Sequence, residues 1–143
     1  MSSEEFQRTC VAMFGEVPVS KALGLSLEYD SDGRAMVRMP RNPRFDHGGA
    51  DTHGGILATL LDTAGWFTVA AACRGPVVTS DIHVRLLQAA KQRNLVATAR
   101  IVRLGARSAV AEMSVSSDDG ELVAVGTASF AKVAEFGTSQ SGR

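Results

Sequence analysis

A run of 18 residues from Ile56 to Cys73 is almost entirely apolar and carries one carboxylate, Asp62. Its length is near the lower limit for crossing a membrane, but a mid-span Asp would cost roughly 2.5–3.5 kcal/mol even on a lenient insertion scale. A helix that is apolar on nearly all sides is more simply the buried central helix of a soluble domain. The sequence therefore predicts a helix from about Gly54 to Cys73, with Gly75 in the left-handed position that ends it.

The other segments predict strands joined by short turns. Leu23, Leu25 and Leu27 alternate with small or polar residues in "LGLSLEYD", and "RAMVRMP" follows a turn, which indicates a hairpin. Four further strands follow the helix: "VVTSDIHVRLL", "NLVATARIVRLG", "ARSAVAEMSVSS" and "ELVAVGTASFAKV". Tight connections favour antiparallel pairing. We therefore expect an α+β domain in which a curled antiparallel sheet of five to six strands wraps around one long central helix.

A chain of 143 residues suits a single domain, and no linker divides it. We expect a domain over 1–143, with its core at about 20–133, an N-terminal helix or extension over 1–19 and a frayed tail over 134–143. The N-terminus has neither the basic nor the apolar region of a signal peptide, so we expect a cytoplasmic protein. Fifteen basic residues balance fifteen acidic ones, and we expect no nucleic-acid or membrane partner.

Several kinds of site are disfavoured by the residues present. Cys10 and Cys73 lack metal-ligand spacing, and His47 and His53 lie six residues apart in a loop without a third ligand pattern. No G-x-S-x-G motif is present for a Ser-His-Asp hydrolase. We expect no metal and no cofactor.

The start of the predicted helix suits a negatively charged oxygen. Gly54 and Gly55 let a ligand approach the backbone, and the first N–H groups of a helix have no intrahelical partner. These groups lie at the positive end of the helix dipole. Donors of this kind stabilise the oxyanion that forms when a thioester or ester carbonyl is attacked, by several kcal/mol in a dry site.

Asp62 lies two turns further along the same helix, and two interpretations of it stay open. It could attack an acyl carbon or activate a water from a cleft between subunits. Alternatively, it is a structural carboxylate bonded to Thr59, Thr63 or a loop amide, because a buried carboxylate without partners costs several kcal/mol.

The segment "THGGILATLLDTAGW" resembles the signature of hotdog-fold acyl-CoA thioesterases of the PaaI type, known from phenylacetate degradation. In that family a His-Gly-Gly triplet opens the central helix and an acidic residue follows nine positions after the His, as Asp62 follows His53 here. The strand segments "VVTSDIHVRLLQAA", "ATARIVRLGARSAVAEMSV" and "DDGELVAVGTASFAKV" are also similar. The resemblance covers roughly residues 20–133 and implies the hotdog fold.

The resemblance implies an acyl-CoA thioesterase with Asp62 as nucleophile or general base. The Gly55 N–H would polarise the thioester carbonyl, His53 would order that turn, and Thr79 would position the water or the carboxylate. Substrate contacts would come from Gly54, Gly105, Ala106 and Arg107, the last three beside the CoA arm. The active site would lie at a subunit interface of a homodimer, or of a tetramer built from dimers.

His47 departs from the family pattern, since many members carry Asn there, and it is a candidate to replace that Asn in bonding the carbonyl or the water. Arg85 is either a phosphate contact or a surface charge. Aryl and medium-chain acyl groups both remain open as substrates. The alternative function is a non-catalytic hotdog module that binds acyl-CoA or only assembles.

Overall fold

A computed structural model describes residues 1–134, which form three α-helices, a short 3-10 helix at Pro43–Phe45 and six strands. The helices are α1 (Ser3–Phe14), α2 (Pro18–Leu23) and α3 (Gly54–Cys73). The strands are β1 (Ser26–Tyr29), β2 (Ala35–Met39), β3 (Val77–Leu86), β4 (Leu95–Leu104), β5 (Ser108–Ser117) and β6 (Leu122–Lys132). The predicted frayed tail, 134–143, lies outside the described residues except for Ala134.

All six strands form one antiparallel sheet in the order β1-β2-β4-β5-β6-β3. One row across it pairs Val37 with Ala97, Ala97 with Val115 and Val115 with Ala124, and all four side chains are buried. Small side chains on this inner face let the central helix approach the strands. The predicted α+β architecture, a curled antiparallel sheet around one long helix, is confirmed.

Helix α3 packs against α1 and against strands β2 to β6. It is long and apolar enough to cross a membrane, yet more than half of it is buried inside this fold. Gly65 shows how closely it approaches the sheet, because an added Cβ there would lie 2.8 Å from Phe130 Cζ and 3.2 Å from Met113 Cγ. The apolar run of the sequence is therefore the core helix of the domain.

Two sequence predictions were wrong in detail. The first strand does not include Leu23, because a proline in the first turn favours the short helix α2, and Gly24 ends it in the left-handed conformation at φ 68°. At the end of α3, Arg74 rather than Gly75 takes the left-handed position, at φ 56°.

Strand β3 is one edge of the sheet and pairs only with β6 among the described strands. Its side chains alternate between the two faces after an irregularity between Thr79 and Asp81. On the face towards α3, Ile82 is 39% exposed and Leu86 is 55% exposed. A ten-residue edge strand with exposed apolar side chains is a surface that usually becomes covered.

Candidate active site

The loop before α3 is ordered by hydrogen bonds between its first and last residues. The His53 N–H donates to the Phe45 carbonyl at 2.9 Å, and Asp46 forms an isolated antiparallel bridge with Thr52. Arg41 donates to both carboxylate oxygens of Asp46 at 2.7 Å. This bidentate ion pair, with both side chains mostly buried, holds the loop in one conformation as it enters the helix.

His53 is the N-cap of α3, and its ring engages one of the amides that the sequence analysis selected. The Gly55 N–H donates to His53 Nδ1 at 2.9 Å. Within the described residues, the preceding amide, Gly54 N–H, has no acceptor. The free donor at the start of this helix is therefore Gly54 N–H, and the His53 ring binds the amide that follows it.

The first His-Gly-Gly triplet makes the same local contact as the second. The Gly49 N–H donates to His47 Nδ1 at 2.8 Å, in an exposed loop where Ala50 adopts a left-handed φ of 63°. No helix follows this triplet, so its amides are not aligned by a dipole. The proposed role of His47 in bonding a carbonyl or a water stays a prediction.

Asp62 and Thr79 meet between α3 and the edge strand β3. The Thr79 hydroxyl donates to Asp62 Oδ1 at 2.7 Å, and both residues are half-buried. The hydroxyls of Thr59 and Thr63, the alternative partners expected for a structural carboxylate, donate instead to the Gly55 and Thr59 carbonyls of their own helix. The carboxylate therefore faces β3, with one oxygen held by a hydroxyl.

The helix start and Asp62 do not meet within one chain. Asp62 lies eight residues beyond Gly54, which is about 12 Å along a helix that rises 1.5 Å per residue. An attacking group and an oxyanion donor must both lie about 3 Å from the same reacting group. The chain thus holds two separate halves of the expected site: the helix-start half, His53–Gly55, and the carboxylate half, Asp62 with Thr79.

The position of Gly54 links the helix-start half to the far end of β3. An added Cβ at Gly54 would lie 2.6 Å from Leu86 Cδ1, so the helix start packs directly on the last residue of that strand. Thr79 lies near the first residue. The two halves therefore lie next to opposite ends of the edge strand β3.

Arg85 is separated from Asp62 by the sheet. It shares the outer face of β3 with His83, whereas Leu86 faces α3. Arg85 and His83 line an outer-face groove of about 620 Å³, together with Arg34, Thr98, Ala99, Arg100, Glu112, Met113, Ser114, Val125, Gly126 and Thr127. The structure does not bring Arg85 to the carboxylate half.

The predicted CoA-arm residues form the turn between β4 and β5. The Gly105 N–H donates to the Ser108 carbonyl, and the Lys132 N–H donates to the Arg107 carbonyl, both at 2.9 Å. Since Lys132 pairs with Val77, this turn lies at the end of the sheet where β3 begins. Arg103 brings a second guanidinium to this turn, because its Nη1 would lie 3.5 Å from a Cβ added at Gly105. The sequence analysis did not single out Arg103.

Asp51 is another residue that sequence reasoning missed. Its carboxylate accepts from the Thr52, Lys91 and Gln92 amides at 3.0, 2.9 and 3.1 Å, and the residue is only 9% exposed. Burial works to raise the pKa of the Asp51 carboxyl, but the three amide donors and the charge of Arg41 outweigh it and lower the pKa overall. In the sequence, only its position two residues before the helix cap indicated that Asp51 belongs near the site.

No group of three or more His, Cys, Asp or Glu side chains within residues 1–134 is arranged to hold a metal ion. Cys10 is buried and Cys73 half-buried, and neither forms a disulfide. Burial raises the pKa of the Cys10 thiol, against a hydrogen bond with Tyr29 that lowers it.

A family model described as the thioesterase superfamily matches residues 49–124, a range that contains the helix start, Asp62 and Thr79. A protein of Halobacterium salinarum whose name proposes an esterase is 41% identical over 121 residues, covering 76% of this chain and 80% of that protein. The medium/long-chain acyl-CoA thioesterase YigI of Salmonella typhimurium is 25% identical over 135 residues, covering 80% and 84%.

The PaaI protein from the phenylacetic acid degradation operon of E. coli is among the similar solved structures. It superposes with a TM-score of 0.84 over 94% of this chain and 98% of its own, at 23% identity. That likeness concerns the fold, and it confirms the hotdog fold of the PaaI type that the sequence predicted.

Proposed function

The chain belongs to the thioesterase superfamily and is a thioester hydrolase, and we propose that it hydrolyses an acyl-CoA to a free acid and CoA at sites shared by two copies of the chain. Asp62 of one chain supplies the base, and the start of α3 in the other supplies the oxyanion donor. The observation that carries this proposal is the Thr79–Asp62 hydrogen bond beside an exposed edge strand, about 12 Å from the helix start of the same chain.

Antiparallel pairing of two β3 edges brings the separated halves together. Thr79 and Asp62 stand near one end of β3, and Gly54 packs on Leu86 at the other. A two-fold axis near the middle of the strand therefore sets Asp62 of each chain beside the partner subunit's Gly54. Pairing also covers Ile82 and Leu86. A dimer is the smallest assembly with complete sites, and a tetramer built from such dimers keeps them.

In the proposed reaction, Thr79 fixes Asp62 Oδ1 and leaves Oδ2 to take a proton from a water molecule. The water oxygen bonds to the thioester carbon, and its carbonyl oxygen becomes an oxyanion that the partner subunit's Gly54 N–H stabilises. The carbon–sulfur bond then breaks, and the proton on Asp62 passes to the CoA sulfur. We assign the donor to Gly54 instead of Gly55, because the Gly55 N–H is held by His53.

Direct attack by Asp62 is the alternative role for the same carboxylate. It forms a mixed anhydride on Asp62 with release of CoA, and water then cleaves that anhydride. Hydroxylamine added during turnover converts such an intermediate into a hydroxamate, detectable by mass spectrometry of the Asp62 peptide. The general-base route leaves this peptide unmodified.

For the substrate, we propose a medium-chain or aryl acyl-CoA. The medium/long-chain acyl-CoA specificity in the name of the Salmonella relative supports the medium-chain option. The turn Gly105–Arg107 lies at the end of the sheet where β3 begins, and Arg103 and Lys132 add positive charge there for the CoA phosphates. Arg85 has no part in this proposal, because it lies on the outer face of the sheet.

The test is release of free thiol from a panel of aryl- and alkyl-CoA thioesters, measured for the wild type and Asp62→Asn. We expect the wild type to hydrolyse at least one member and the variant to lose that turnover. If the folded wild type binds acyl-CoA but releases no thiol from any member, the non-catalytic binding or assembly module replaces this proposal. Light scattering of the same samples reports whether the protein is at least a dimer.

A further inference from the structure

Asp51 joins two loops that lie far apart in the sequence. The His47–His53 loop carries the carboxylate, and the loop between β3 and β4 supplies the amides of Lys91 and Gln92. Both of these residues adopt a left-handed φ of 56°, uncommon for residues other than glycine, so that their successive N–H groups converge on one anion. The Gln92 side chain also donates to the Ala50 carbonyl at 2.9 Å.

Each loop leads directly to a part of the proposed site. The first ends at His53, two residues after Asp51, and delivers the Gly54 N–H. The second begins just after Leu86, the residue on which Gly54 packs. The Asp51 contacts therefore fix the helix start relative to the end of β3, the strand proposed to pair with the partner.

We propose that Asp51 is a positioning residue that acts on the active site of the partner subunit, by fixing where the Gly54 N–H is presented across the interface. This inference rests on the proposed function. In the paired dimer, β3 sets the position of the partner's Asp62, so the distance from donor to base depends on how the helix start is held against β3. A misplacement of about 1 Å in such a constellation costs on the order of 10²-fold in rate.

Asp51 is suited to this task because a carboxylate accepts from all three amides. An Asn at this position keeps one acceptor oxygen but turns its NH₂ group either towards the Lys91 N–H or towards the Thr52 and Gln92 N–H groups. An amide N–H that faces this NH₂ group has no acceptor. The loops then separate slightly while Asp62, Thr79 and the CoA-arm turn keep their places. The loss is therefore expected in the chemical step and not in substrate binding.

The first measurement is steady-state kinetics of Asp51→Asn. We expect kcat to fall about 10- to 100-fold with KM changed less than about twofold. Asp30→Asn is the matched control, because Asp30 Oδ1 likewise accepts from two loop amides, those of Asp32 and Arg34 at 2.9 Å, but in the β1–β2 turn. Its kcat should stay within twofold of the wild type, by the same reasoning. An unchanged kcat in Asp51→Asn overturns the inference.

If Asp51→Asn fails to fold, Asp51→Glu provides a milder variant. It keeps a carboxylate for the amides of Thr52, Lys91 and Gln92 but moves it by one methylene group. We expect kcat of Asp51→Glu to fall a few-fold with KM unchanged, and a kcat equal to that of the wild type overturns the inference. Gln92→Ala removes the side-chain bond to Ala50 but leaves the Asp51 contacts in place, so it serves only as a control for loop damage.

The second measurement tests whether Asp51 acts across the interface. Asp51→Asn and Asp62→Asn chains carrying different tags are co-expressed, and the mixed dimer is purified through both tags. One of its two sites combines the intact Asp62 of the first chain with the intact helix start of the second. The mixed dimer should thus recover about half of the wild-type rate, although both parent dimers are poor enzymes. Rates no higher than those of the parents show that Asp51 acts within its own chain and overturn the proposal.

These outcomes separate the inference from the proposed function. A wild type that hydrolyses no acyl-CoA, or an Asp62→Asn variant that remains active, contradicts the proposed function. An active wild type whose kcat is insensitive to Asp51→Asn leaves the proposed function standing and rejects the role of Asp51.

Discussion

The two halves of the proposed site are built in opposite ways. The helix-start half consists of backbone N–H groups whose turn is held by a local bond, Gly55 N–H to His53. Asp51 then connects this turn to the amides of Lys91 and Gln92, 40 and 41 residues further along the chain. The carboxylate half is made of side chains, and its one internal bond joins residues 17 positions apart, Thr79 to Asp62. Local sequence therefore forms the turn that carries the donor, whereas long-range contacts place both that turn and the base.

The largest effect is expected when the carboxylate half loses its base. Asp62→Asn keeps an acceptor for the Thr79 hydroxyl but removes the proton acceptor, so kcat should fall by about 10²- to 10⁴-fold. Thiol release and a thermal melt of the same sample measure the activity and the fold.

Asp81→Asn is the matched control for that variant. Asp81 lies on the outer face of β3 and accepts from the Ser129 amide at 3.3 Å. Its kcat should stay close to that of the wild type. An equal loss in both variants would mean that general damage around β3, and not the missing base, lowers the rate.

The next largest decrease in kcat is expected when Asp62 stays in place but loses its bond to Thr79. Thr79→Val keeps the shape of the side chain and deletes the hydroxyl that holds Asp62 Oδ1. A hydrogen bond to a charged group contributes about 1.5–3 kcal/mol, so a decrease in kcat of about tenfold is expected. Ser80→Ala removes a hydroxyl that bonds the Ser129 carbonyl instead, and a similar decrease there would contradict the role of Thr79.

A smaller effect, on the free energy of unfolding, is expected when the His of either His-Gly-Gly triplet is replaced. His53→Ala removes the N-cap of α3 and should lower the free energy of unfolding by about 1 kcal/mol. His47→Ala removes the same bond from an exposed loop that no helix follows, and should change it by less than about 0.5 kcal/mol. Chemical denaturation measures both. If His47→Ala lowers kcat as far as His53→Ala, the first triplet also belongs to the helix-start half.

The smallest effect is the pH dependence of stability that Asp51 contributes beside the helix-start half. The pKa of Asp51 is lowered in the folded protein by its three amide donors, so its ionised form stabilises the fold above the unfolded pKa of about 3.9. That contribution is lost as the pH falls through the folded-state pKa. The difference in Tm between the wild type and Asp51→Asn should therefore shrink as the pH is lowered from 6 towards 3. A difference in Tm that stays constant across this pH range contradicts the stabilising role of the ionised Asp51.

The sequence predicted the elements whose pattern repeats over many residues. The apolar run defined α3, and alternation over ten or eleven residues defined β3 to β6. The short helix α2 was missed, because six residues with one Leu carry no helical period, and Leu23 also fitted the alternation of the following strand.

Within the candidate site, sequence reasoning identified the residues better than their contacts. Asp62 and Thr79 were both singled out, and they do meet. Choosing between the Gly54 and Gly55 amides needed the orientation of the His53 ring, which a motif does not encode. Asp51 was missed because its partners include the backbone amides of Lys91 and Gln92. These two residues adopt a left-handed conformation that Lys and Gln do not predict.

A crystal structure of the protein with an acyl-CoA analogue, in which a methylene group replaces the thioester sulfur, shows whether each active site is shared by two chains. The two-chain site predicts that the ketone oxygen lies about 3 Å from the Gly54 nitrogen of one subunit, with the carbonyl carbon beside Asp62 of the other. A ketone bound by Gly54 and Asp62 of the same chain, or bound away from both residues, contradicts the two-chain site.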